Sequence, residues 1–119
     1  MPGRVRTASD AEVATAWAEL CRDPSSTLAL RLLTKHYLAV LATRHPGRSV
    51  EVRVPPYAAV QCIGGTRHTR GTPPAVVETD AATWVGLARG DLTWSEVVAA
   101  GRVSASGERS DLSSLLPLA

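Results

Sequence analysis

Val50-Glu51-Val52-Arg53-Val54 is the stretch at which the apolar period of this chain changes from 3.6 to 2. Three valines alternate with a glutamate and an arginine, so the apolar side chains share one face and the charged ones the other. A strand written this way has one dry face and one wet face, as in antiparallel sheets covered on a single side. Val50, Val52 and Val54 are expected under a layer of helices, with Glu51 and Arg53 on the open face.

Upstream of that switch the chain reads as helix. Ser9-Asp10-Ala11-Glu12 is a capping box, in which Ser9 and Glu12 each satisfy the other's free backbone amide. Val13, Ala16, Trp17 and Leu20 follow at helical spacing, and Asp23-Pro24-Ser25-Ser26 breaks the run. A second helix is expected from about Thr27 to Arg44, stopped by Pro46-Gly47. Its stripe of Leu30, Leu33, Tyr37 and Leu41 is widened by Leu28, Leu32 and Leu38. A helix apolar over so wide an arc is either deeply buried or shares its surface with a ligand or partner. Residues 1–8 are expected to form a flexible N-terminal arm.

Downstream, Pro55-Pro56 interrupts the strand, and Tyr57 to Ile63 reads as the next one, ending at Gly64-Gly65. Thr66 to Pro74 reads as a polar loop or loose hairpin, and Ala75 to Thr79 as a third strand. Asp80 is placed to cap a helix carrying Trp84, Leu87 and Ala88, with Gly90 as its stop. Thr93-Trp94-Ser95-Glu96 is a second capping box, opening a short helix with Trp94, Val97 and Val98 inward. Val103 to Gly107 alternates as a final strand. Ser110 is expected to cap a closing turn that carries Leu112, Leu115 and Leu116 and stops at Pro117. Strands in a run with helices on either side, without βαβα alternation, predict a single α+β domain spanning residues 1–119.

Composition narrows the function classes. The chain has 119 residues, 45% of them apolar and 20% charged, with a net charge of +2. That is an ordinary globular composition, and the charge is too small to suggest nucleic acid. With no phenylalanine, the core must be built from Leu, Val and Ala. No apolar run approaches the roughly 18–20 residues that span a bilayer, and no secretory signal opens the chain, so a cytoplasmic protein without a membrane span is expected. Cys21 and Cys62, each within an apolar segment, are expected as a reduced, buried pair.

Catalytic and metal-binding patterns do not assemble. Cys62 sits in a buried-strand context that raises a thiol pKa and makes it inert. The three histidines lack metal-ligand spacing, and Glu51, Glu78, Asp80 and Asp111 are scattered over strand and cap positions. A non-enzyme without metal or cofactor is expected. Arg67, His68 and Arg70 form the densest positive cluster, suited either to solvation at a hairpin tip or to an anionic headgroup.

Residues 76–107, VVETDAATWVGLARGDLTWSEVVAAGRVSASG, resemble the second half of sterol carrier protein type two. The pattern is a capped helix of the form x-Leu-Ala-x-Gly-x-Leu, a second short helix, Gly-Arg, a strand, Gly and a closing leucine turn. Here those positions are Asp80, Leu87-Ala88, Gly90, Leu92, Gly101-Arg102, Gly107 and Leu112 to Leu116. The middle, with VRVPPYAAVQC at 52–62 and RHTRGTPP at 67–74, is similar to the short bacterial branch of that family. The resemblance implies a two-layer α+β fold with a five-stranded, mostly antiparallel sheet and helices on one face.

It further implies a hydrophobic tunnel between those layers for a fatty acid, acyl-CoA or sterol-like molecule. The residues placed to line it are Leu32, Leu33, Val60, Trp84, Leu87, Val97, Val98, Leu112, Leu115 and Leu116, with Arg67, His68 and Arg70 as headgroup contacts. A mouth near the closing leucine turn is expected. The same type of domain also serves as a non-catalytic appendage, which leaves the alternative of an accessory protein-interaction domain or homodimer with a closed core.

Overall fold

The computed structural model describes residues 5–65, 75–107 and 110–119. Two helices open the chain, α1 (Asp10–Arg22) and α2 (Thr27–Arg44), followed by strands β1 (Val50–Val54), β2 (Ala58–Cys62) and β3 (Ala75–Thr79). Two more helices, α3 (Ala81–Arg89) and α4 (Trp94–Ala99), lead to β4 (Val103–Ser106) and a 3-10 turn at Ser113–Leu115.

The helix starts follow local chemistry. Ser9 accepts the Glu12 amide while the Glu12 carboxylate accepts that of Ser9, and Thr93 and Glu96 do the same at α4. Asp80 accepts from the Thr83 amide at 2.8 Å and from its hydroxyl at 2.8 Å. Gly90 ends α3 in the left-handed region, which a side chain would disfavour.

The sheet is mixed, in the order β2-β1-β3-β4. β1 and β2 form an antiparallel hairpin closed at Val54 and Ala58, where the Tyr57 amide donates to the Val54 carbonyl at 2.9 Å. β1 and β3 run parallel in the centre, and β3 and β4 antiparallel at the edge. The register puts Val52 opposite both Val60 and Val77, so one face collects Val50, Val52, Val54, Ala58, Val60, Cys62, Ala75 and Val77, all buried. Glu51 and Arg53 pair with each other on the opposite face.

The α+β class is as expected, but four strands form among the described residues, not five. The fifth was implied by resemblance alone; the sequence alternates in four segments, and those are the strands. Three further expectations are corrected. Val98 is 47% exposed, because α4 is only six residues long and Val97 alone occupies its buried side. Cys21 is exposed while Cys62 is buried, and both are free thiols. The closing turn is held by Asp111, which accepts the Ser113 amide at 2.9 Å, whereas the Ser110 hydroxyl donates back to Gly107.

Candidate functional site

α2 organises the helical layer. Ala29, Leu33, Thr34, Tyr37, Leu38 and Leu41 are buried along it, an arc broad enough to meet β2, α1 and α3 together. Arg89 at the end of α3 donates to the Tyr37 hydroxyl at 3.0 Å and stacks 3.9 Å over the Trp17 ring, joining three helices through one guanidinium. The Trp84 indole N–H donates to the Thr34 carbonyl at 3.3 Å. Beside that carbonyl, the Thr34 hydroxyl is fully buried and has no hydrogen-bond partner among the described residues.

A recess of about 370 Å³ opens at the seam between the two layers, bordered by His45, Ile63, Gly64, Asp111, Ser114 and Leu115. It lies where α2 ends, β2 ends and the C-terminal turn crosses. Ile63 adopts a left-handed φ of 64°, a conformation that β-branched side chains rarely take. Two backbone bonds hold it there: its amide donates to the His45 carbonyl at 2.6 Å, and its carbonyl accepts from Ser49 at 3.0 Å. The turn on the other side is held by the Asp111 side chain at the Ser113 amide and by one backbone bond, from Leu115 to Leu112 at 2.9 Å. Leu118 and Ala119 then both donate to the Ala88 carbonyl, tying the chain end to α3.

The residues expected to line a ligand space divide into three groups. Leu33, Val60, Trp84, Leu87, Val97 and Leu112 are buried, and Leu33, Val60, Trp84 and Leu112 belong to one packed core cluster. Leu32, Leu115 and Leu116 are half-buried against that cluster. Val98 faces solvent. Arg67, His68 and Arg70 lie outside the described residues. Sequence reading missed Thr34 and Ile63. The signal for Thr34 was a hydroxyl set within the apolar arc of α2; for Ile63 no sequence signal exists, since any residue can occupy a strand end.

Reactive groups are muted. Burial pushes the Cys62 thiol up to about 11, where it is protonated and inert at neutral pH. Burial also acts to raise the Asp80 carboxyl, but the Thr83 hydrogen bonds and nearby Arg102 outweigh it and hold Asp80 below the usual range. Among the described residues no group of three His, Cys, Asp or Glu side chains converges as a metal site. None of the helices among these residues is long and apolar enough to cross a membrane.

Fold and seam together define a two-layer α+β domain whose helices cover one face of a small mixed sheet. The chain belongs to a sterol carrier protein-like family, described as bacterial SCP ortholog, which matches residues 26–118. A search of curated proteins found no match. The matched segment begins at Ser26, the N-cap of α2, and α1 lies outside it.

Proposed function

We propose that the chain is a non-catalytic carrier domain holding an apolar small molecule between the helical layer and the sheet, admitted at the seam beside the C-terminal turn. The observation that carries this reading is the Thr34 hydroxyl, buried in apolar surroundings without a partner among the described residues. Such a group costs about 1–3 kcal/mol when left unpaired, and its retention calls for a water or a ligand atom. The hydroxyl of a sterol-like molecule, or a carbonyl oxygen of a fatty acid or acyl-CoA, supplies that partner. The apolar remainder then takes over contacts that Leu33, Trp84 and Leu112 otherwise make with one another.

Admission requires the core to part. Opening is assigned to the turn around Leu115 and Leu116, a short element whose two leucines are only half-buried. Arg67, His68 and Arg70 belong to this reading as headgroup contacts for an anionic ligand.

Native mass spectrometry of protein purified from cells should reveal a co-purifying acyl chain or sterol. Delipidated, folded protein should bind a fluorescent fatty acid saturably at about micromolar concentration and lose affinity in Leu116→Asp. Absence of saturable binding leaves the second reading, an accessory docking domain with a closed core. That reading is favoured by the mutual packing of Leu33, Val60, Trp84 and Leu112.

A further inference from the structure

The outer face of the α1–α2 pair carries charge of both signs around an apolar trough. Leu28 is 78% exposed on it, and Leu32 follows one turn later. A groove of about 380 Å³ runs between these leucines and Ala11, Thr15 and Ala16 of α1, with Glu12 and Glu19 on the same wall. It continues past Leu28 and Leu32 into a second recess of about 680 Å³, bordered by Arg6, Arg31 and Lys35. Among the described residues, Arg6, Arg31, Lys35 and Glu19 have no ion-pair partner. The short connection at Asp23 to Ser26 makes the two helices antiparallel, so Glu19 lies beside Leu28 at one end of the trough while Arg6 and Lys35 lie at the other.

We propose that this face is the interface with a second copy of the chain, related by a two-fold axis through the trough near Leu32. A two-fold interface must be self-complementary: each patch meets the same patch rotated by half a turn. Rotation about the middle of this trough brings Glu19 of one copy opposite Lys35 and Arg6 of the other, and the leucines of both copies against each other. Glu19, Lys35 and Arg6, which have no ion-pair partner among the described residues, thereby acquire neighbours of opposite sign across the axis. A small anionic ligand would use the three cations but leave Glu19 and Glu12 facing it, and an acidic helix from another protein would meet the same two carboxylates. α2 is about 27 Å long at 1.5 Å per residue, and α1 lies beside it along the trough.

Sedimentation velocity over a concentration series, on the full chain, tests this. The expected result is a dimer that dissociates on dilution, and more readily at high salt as the charge pairs are screened. Leu28→Asp, at an exposed position that leaves the fold intact by circular dichroism, should raise the dissociation constant by about tenfold or more. Glu19→Lys and Lys35→Glu should each weaken the dimer, and the two reversals combined in one chain should restore it, an outcome that a purely local role of either charge would not produce. A monomer throughout the range above micromolar, a dimer indifferent to Leu28→Asp, or failure of the combined reversal to restore association each overturns the proposal. A monomer whose binding of a fluorescent fatty acid depends on Leu28 does so too, and assigns the trough to a small amphipathic anion.

Discussion

The indole N–H of Trp84 donates to the backbone carbonyl of Thr34, fifty residues earlier, inside the core and at 3.3 Å. This bond pins α3 across α2 and gives the largest side chain in the interior a polar anchor as well as apolar contacts. Trp84 is 1% exposed. Trp84→Ala should therefore cost about 3–5 kcal/mol, from lost burial and the cavity left behind, measured as a lowered urea midpoint. An unchanged midpoint would mean that this face of α3 does not pack on α2.

Thr34→Val removes the unpaired hydroxyl while keeping a β-branched shape. In the ligand-free protein it should raise stability by about 1 kcal/mol, because the desolvation cost of the orphan hydroxyl disappears. Thermal unfolding of delipidated native and variant proteins checks this. A variant less stable than the native chain would show that the hydroxyl is already satisfied.

His36 makes stability depend on pH. Its Nδ1 accepts the Ala8 amide at 2.9 Å, which it can do only while that nitrogen is unprotonated. Burial of the ring lowers its pKa from the ordinary 6.5, and the Asp10 carboxylate pulls weakly the other way. Between the folded and unfolded values the unfolded chain binds more protons, so stability rises with pH. The contribution is complete above about 6.5 and is lost as pH falls through the lower folded value. Urea midpoints should fall more steeply on acidification for the native chain than for His36→Asn, whose side chain can accept the same amide without titrating. Parallel curves would refute the assignment.

The two thiols should separate cleanly in reactivity. Cys21 is exposed beside Trp17, Leu20 and Pro24, while Cys62 is buried with its pKa near 11. At neutral pH an aromatic disulfide reagent should titrate one thiol rapidly and the second only on unfolding. Fast reaction of both would place Cys62 outside the core.

Gly47 and Gly101 both hold positive φ values, but only one is crowded. A Cβ on Gly47, at φ +150°, would stand 2.1 Å from the Ile63 carbonyl oxygen, a backbone atom that cannot yield. At Gly101, φ +70°, nothing lies within 4 Å. Gly101→Ala should cost about 1–2 kcal/mol, the left-handed penalty alone, and Gly47→Ala clearly more. Equal midpoints for the two variants would contradict the close approach at the α2–β2 seam.

Sequence alone determined what is written into neighbouring residues. The switch at Val50 set the strand and its dry face, Ser9, Asp80 and Thr93 marked three helix starts, and Gly90 marked a stop. Alternation and capping are local, so one segment carries their whole signal. Helix order and the leucine-rich closing turn were enough to indicate the family. Tertiary structure decided everything that depends on which faces meet. Cys21 and Cys62 stood in similar apolar contexts, yet only the latter lies on the sheet face covered by α2. Leu28 and Leu33 share a helix, but one is bare and the other sealed, because α1, α3 and β2 cover a single arc of α2. Val98 could not be told from Val97 until α4 proved too short to bury both. The left-handed turn at Ile63 and the parallel pairing of β1 with β3 are long-range outcomes as well. Periodicity gives each element's apolar face; the partner covering it follows from packing between segments distant in the chain.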